Sequence, residues 1–213
     1  DESQVSLLEA QMQETGYLTT AQMAGAFQML RSYDLLWSRL VNEYLLGERR
    51  PLNDLMAWNA DGTRMPAKMH AQYLRRLYLD NDLSSGRYPV DGRPVELNDI
   101  RLPIFSVGTL TDHVAPWRSV YRIHQQVVGE VTFVLTSGGH NAGIVSEPGH
   151  PRRHYQLLVR EAGAPSLSSA QWLEQAALHQ GSWWPRLVAW LRERSGEPVA
   201  PPPMGAAARG YAP

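Results

Sequence analysis

"SVGTLTDHVAPWRSV", residues 106–120, decides the fold: an apolar strand runs out into Asp112 and His113, and Pro116 then opens a helix. Its companion, "VTFVLTSGGHNAGIV", residues 131–145, is a second apolar strand that opens into Gly138, Gly139 and His140. Strand, acid, helix, strand, histidine is the order of the last two members of a nucleophile–acid–histidine triad carried on a parallel sheet. A single crossover helix over 116–127 would make the strands at 102–108 and 130–135 parallel neighbours, buried by helices. In open sheets of this kind function gathers at the carboxyl ends of the strands, where Asp112 and His140 both fall. Adjacent strand ends lie about 5 Å apart, within reach of a carboxylate and an imidazole. An acid so placed sets the histidine tautomer and stabilises the imidazolium formed when the ring takes a proton.

The nucleophile that should precede them is missing. No G-x-S-x-G or G-x-C-x-G elbow occurs, and the 213 residues hold no cysteine. The absence of cysteine also excludes disulfides and thiolate metal sites within these residues. By triad order, the nucleophile is expected upstream of Asp1. Other histidines, His113, His124, His150, His154 and His179, show no HExxH-type spacing, and Pro151 interrupts the His150–His154 pair, so no metal site is expected.

Around this centre the chain divides by character. The first hundred residues read as helices: "SQVSLLEAQMQETGY" with Ser3 as N-cap and Gly16 as stop, "TTAQMAGAFQML" from Thr19 or Thr20, and a third helix ending at Gly47. After the turn at Asp61-Gly62, Pro66 starts a helix that brings Met69, Tyr73, Leu77 and Tyr78 towards one face. In "RYPVDGRPVEL", Asp91-Gly92 between extended runs is a hairpin signal. Residues 168–180 and 182–196 read as two closing amphipathic helices, the second capped by Ser182, and a Pro/Ala-rich tail follows. The expected architecture is α/β, a helical layer followed by the last part of a parallel sheet.

Composition narrows the partners. Hydrophobic residues at 43% and charged ones at 19% suffice for a buried core. A net charge of −1 without any basic block leaves no electrostatic footprint for nucleic acid. No apolar run reaches the length of a membrane span. Seven Trp and nine Tyr against three Phe favour pocket walls and interfaces, because both side chains join a large apolar body to a polar tip.

"YLLGERRPLNDLMAWNADGTRMP", "YLRRLYLDNDL", "TDHVAPW", "LTSGGHNAGIVSEPG" and "GSWWPRLVAWL", in that order, resemble the C-terminal half of the class I polyhydroxyalkanoate synthases. The resemblance runs from about Val5 to Gly205. It implies the C-terminal part of an α/β-hydrolase-like fold behind a helical cap: residues 1–50 as cap segment, 51–198 as catalytic-domain part, 199–213 as tail. It implies a cytoplasmic acyltransferase at the surface of polyester granules, polymerising (R)-3-hydroxyacyl-CoA with a cysteine nucleophile supplied by the missing N-terminal half. It further implies a homodimer in the full-length enzyme, and no cofactor, the CoA thioester being substrate. By motif, Asp112 is the triad acid and His140 the base, with His113 and Asn141 beside them. Arg31 is a candidate for CoA phosphates, because guanidinium binds them bidentately. Tyr73, Tyr78 and Trp58 are candidates for the acyl path. Without the nucleophile the chain alone is expected to be inactive. Two other assignments satisfy the bare residues: another α/β-hydrolase fragment, such as an esterase or polyester depolymerase, and a non-catalytic granule-associated module.

Overall fold

A computed structural model describes residues 1–30, 37–38, 40–48, 54, 57–58, 61–202 and 204–211. The chain forms two compact units, Asp1–Leu97 and Asn98–Pro213.

In the first unit, helix α1 (Glu2–Met12) starts from a capping box. The Asp1 carboxylate accepts the Gln4 N–H at 3.0 Å while Gln4 Oε1 accepts from the Asp1 amino group at 2.7 Å. Asp1, not Ser3, is therefore the cap, since its side chain reaches the third helical N–H. Val5 and Met12, two turns apart, are the buried residues of this helix. Gly16 ends the segment at φ +74°, a conformation that costs glycine nothing. The short strand β1 (Tyr17–Leu18) then pairs antiparallel with β2 (Met65–Pro66). Between them lie α2 (Thr20–Leu30) and a π-helical turn over Leu40–Leu45, where Leu46 N–H bonds Val41 O at 2.9 Å. Helix α3 (Ala67–Gln72) follows Pro66 and continues as a π-helix through Tyr73–Leu79. Arg75 on that continuation pairs with Glu9 (Nη2–Oε2 2.6 Å, Nε–Oε1 3.0 Å) and with Glu2, both on α1. The hairpin of β3 (Tyr88–Val90) and β4 (Arg93–Val95) turns through Asp91 and Gly92 at φ +49° and +77°, the left-handed pair that a two-residue hairpin loop requires.

The second unit is built on a four-stranded mixed sheet in the order β5 (Ile104–Thr109), β6 (Val131–Thr136), β7 (His154–Arg160), β8 (Ala177–Gln180). Strands β5 and β6 are parallel, with Ile104 opposite Val131 and Thr109 opposite Thr136. Both later pairings, β6–β7 and β7–β8, are antiparallel. All six residues of β6 are buried, as expected of a strand covered on both faces. One face packs Phe133 against Tyr121, Trp172 and His124, with ring centroids 5.1–5.7 Å apart. The other packs Val134 with Tyr155 and Trp183, flanked by Phe105, Val107, Leu157, Trp184 and Leu187. Gly108 lets the crossover approach the sheet, because a Cβ there would stand 3.1 Å from Trp117 Cβ and 3.2 Å from Phe133 Cζ.

Three sequence expectations change here. The crossover is not one helix over 116–127 but two short ones, α4 (Trp117–Val120) and α5 (Ile123–Gln126). Trp117, Tyr121 and His124 nevertheless keep helical spacing across the break and are all buried, and Tyr121 Oη donates to Leu167 O at 3.1 Å. Residues 168–180 are likewise not one helix. Helix α6 (Ser169–Gln175) is capped by Ser168, Ala176 adopts extended angles, and β8 follows. Pairing of Ala177 with Leu157 and Leu178 with Gln156 outweighs the helical propensity of an Ala-Ala-Leu run. The last helix, α7 (Trp184–Arg192), has Trp183 rather than Ser182 at its N-cap and ends before the expected stop at Gly196. Residues 199–202 have no regular structure, and Ala206 bridges to Tyr211.

Candidate functional site

The carboxyl ends of β5 and β6 carry the acid and the histidine. After Thr109 the chain bends so that Asp112 Oδ1 accepts the N–H groups of Val114 (2.8 Å) and Ala115 (2.9 Å), which fixes the start of the crossover. Asp112 Oδ2 accepts from Thr109 Oγ1 at 3.1 Å and lies 2.9 Å from His140 Nδ1. The carboxylate thus takes four hydrogen bonds while its side chain is only 7% exposed. Burial by itself would raise its pKa. The hydrogen bonds from Ala115, His140, Val114 and Thr109 outweigh that and hold it at about 2. An ionised carboxylate only accepts, so Nδ1 of His140 carries the proton and donates it. The other ring nitrogen, Nε2, is left as the acceptor on a side chain that is 46% exposed.

Glycines shape the loop that presents the ring. Gly138 sits at φ +106°, and a Cβ there would meet Arg153 Nη1 at 2.8 Å and Gly143 backbone at 3.0 Å. Gly143 lies on Thr109, whose Cγ2 would be 2.5 Å from an added Cβ. The loop therefore rests on the same threonine that donates to Asp112. Thr109, 2% exposed, was not among the residues that sequence reasoning singled out. Its signal was the position, the last residue of the strand on the acid's own loop.

The other predicted positions are placed as follows. His113 is exposed and adjoins Asp112, and Asn141 is exposed and adjoins His140, its carbonyl accepting from Ile144 (3.1 Å) and Val145 (2.9 Å). Trp58, Tyr73 and Tyr78 belong to the first unit and are 66%, 52% and 76% exposed. Arg31 lies outside the described residues. Among the described residues no three His, Asp or Glu side chains cluster as a metal site, and no helix is long and apolar enough to cross a membrane.

The second unit thus joins an acid and a histidine by one hydrogen bond at the carboxyl ends of two parallel strands. Similarity to known proteins is extensive. The chain is 43% identical over 94% of its length to the poly(3-hydroxyalkanoate) polymerase subunit PhaC of Rhizobium etli. It is 42% identical over 93% to the poly(3-hydroxyalkanoate) polymerase of Methylorubrum extorquens, and 35% identical over 95% to the PhaC subunit of Cupriavidus necator. The chain thus resembles the poly(3-hydroxyalkanoate) polymerases over nearly all of its own length. The aligned regions make up 31%, 32% and 35% of those relatives, so the chain spans about a third of their length. No protein-family model matches it.

Proposed function

We propose that this chain is the acid–base part of a polyester-forming acyltransferase with an α/β-hydrolase-like core, in which Asp112 and His140 serve a nucleophile carried outside these 213 residues. The observation that carries the reading is the 2.9 Å Asp112–His140 pair in a chain related to polymerases over nearly all its length. His140 Nε2 takes the proton of a cysteine thiol, and the thiolate attacks the thioester carbonyl of a 3-hydroxyacyl-CoA. The imidazolium returns that proton to the departing CoA thiolate. His140 then deprotonates the hydroxyl that accepts the acyl group, and the proton goes back to the enzyme thiol as the ester forms. Asp112 stays ionised throughout, holding Nδ1–H and balancing the imidazolium.

On this reading CoA thioester and growing polyester are substrates, no cofactor is needed, and the chain by itself is inactive for want of a nucleophile. The exposed Trp37, Tyr44, Leu45 and Trp58 of the first unit suit a protein that works as a homodimer at a granule surface in the cytoplasm. A fusion of the chain to the remaining two thirds of the Rhizobium etli polymerase provides the test. It should release CoA from (R)-3-hydroxybutyryl-CoA, and Asp112→Asn should cut that rate by roughly 10³- to 10⁴-fold through the wrong tautomer of His140. Undiminished CoA release by the Asp112→Asn fusion overturns the reading.

A further inference from the structure

The Asp112–His140 pair depends on where the 137–146 loop holds the imidazole. The loop's own bonds form one tight turn, Gly143 N–H to Gly139 O at 2.8 Å and Val145 N–H to Asn141 O at 2.9 Å. These bonds fix its shape, not its seat on the protein. Its first residues are held by Thr111 N–H to Gly138 O at 3.1 Å and Ser137 N–H to His154 O at 2.9 Å, and its far side is seated by three consecutive residues far along the chain. Trp183 Nε1–H donates to Gly143 O at 3.2 Å, Trp184 Nε1–H donates to Ile144 O at 2.9 Å, and the Ser182 hydroxyl donates to Ser146 O. Ser182 Oγ in turn accepts the Trp184 N–H at 3.1 Å, so the serine is held in place by the helix it opens.

We infer that Ser182, Trp183 and Trp184 are positioning residues for His140, a clamp that grips the backbone of its loop from the start of the last helix. Trp183 is 6% exposed and packs with Val134 and Tyr155, so its N–H is presented by an indole that the core immobilises. Ser146, which receives the third bond, is fully buried. Gly143 is pressed between the Trp183 N–H and Thr109, and Thr109 donates to Asp112. The clamp and the carboxylate therefore share one wall, and loosening the first changes the distance to the second. Topology brings them together. Antiparallel β7 starts beside the carboxyl end of β6, with Tyr155 opposite Thr136, and β8 runs back to that same end, with Gln180 opposite His154. Gly181 N–H bonds Arg153 O at 2.6 Å and the chain turns there at φ +92° into Ser182.

The consequence for catalysis rests on His140 being the base, whereas the clamp itself can be read without any activity. The test uses the intact chain, with the histidines ¹⁵N-labelled, and two readouts. One is the downfield Nδ1–H resonance of His140, which reports its bond to Asp112. The other is hydrogen exchange of the Gly143 and Val145 amides, which reports the loop. Trp184→Phe keeps a ring but loses the donor, and its bond lies at the surface, so the sheet amides serve as the control for folding. Ser182→Ala and Ser182→Thr form the second pair. Trp184→Phe and Ser182→Ala should broaden or abolish the Nδ1–H signal and speed loop exchange roughly tenfold, the worth of one hydrogen bond. Ser182→Thr, with the hydroxyl retained, should preserve both. Unchanged Nδ1–H signal and unchanged exchange in Trp184→Phe and Ser182→Ala overturn the clamp. Asp112→Asn separates the two ideas: if it leaves the Nδ1–H signal intact, the dyad reading fails, while loop exchange still decides the clamp.

Discussion

The two units treat apolar side chains in opposite ways. In Asp1–Leu97 the buried residues among those described are Val5, Met12, Leu18 and His70, while Trp37, Tyr44, Leu45 and Tyr78 stand exposed. In Asn98–Pro213 the sheet offers two faces, and Trp117, Tyr121, Phe133, Trp172 and Trp183 are all buried against them. Among the described residues, α1 is tied to the helix after Pro66 by charged groups, Glu2, Glu9 and Arg75. A site that needs a carboxylate and an imidazole held at 2.9 Å sits on the second kind of framework. The contrast teaches where geometry can be kept: a sheet close-packed on both faces holds the polar pair in place.

The largest expected effect is chemical. In the same fusion, His140→Ala should lower kcat by roughly 10⁶-fold with circular dichroism unchanged, because the ring is half-exposed and packs little. A loss of folding along with activity would mean that the site also holds the sheet together. Next comes packing. Trp172, 1% exposed beside Trp117, Tyr121 and Phe133, should cost about 3–5 kcal/mol when replaced by Ala, read from urea unfolding. If the two units are independent, the fluorescence of Trp37 and Trp58 in the first should report an unshifted transition. A common shift breaks the comparison.

A smaller effect depends on pH. His124 is 2% exposed, neither ring nitrogen has a hydrogen-bond partner, and Tyr121 and Phe133 flank it. Burial first, and the nearby Arg160 guanidinium second, lower its pKa to about 4 from 6.5. Between those values the unfolded chain binds the extra proton, so the stability is whole above pH 6.5 and is lost as pH falls towards 4. The loss is about 3 kcal/mol for a shift of this size. Urea midpoints at pH 7.5 and pH 4 should differ accordingly, and His124→Phe should flatten that dependence. Asp112 acts in a lower window, its contribution present above pH 3.8 and lost as pH falls through about 2. The smallest effect lies in the first unit. Arg75→Ala should cost about 1 kcal/mol or less, since Arg75 and Glu9 are each about a third exposed, and added salt should shrink it further. A larger, salt-independent loss would show that the pair is more than a surface tie.

Asp112 and His140 were legible because they follow two short apolar runs, and a run of that length bounded by turn residues is local information. The Asp91-Gly92 hairpin and the stop at Gly16 were legible for the same reason, each needing a backbone angle that few residues take. The start of α1 was misassigned by two residues, since Asp1 and Ser3 are both good caps and only the third helical N–H distinguishes them. The split in the crossover was hidden, because Trp117, Tyr121 and His124, which pack with Phe133 and its neighbours, keep helical spacing across it.

What the sequence by itself determined is the parallel strand pair, the loops that leave it, and the acid and histidine those loops carry. Each is written in a window of a dozen residues, as a hydrophobic run, a glycine or a proline. Only the tertiary structure decided that "ALHQ" is a strand, that β7 and β8 double back, and that Ser182, Trp183 and Trp184 therefore arrive at the His140 loop. Residues 177–180 follow a helix and read as its continuation until β7 offers them a ladder of hydrogen bonds. The indole N–H groups meet the Gly143 and Ile144 carbonyls 40 residues away in sequence. No periodicity encodes such a meeting, because it exists only once both ends of the sheet have been laid side by side.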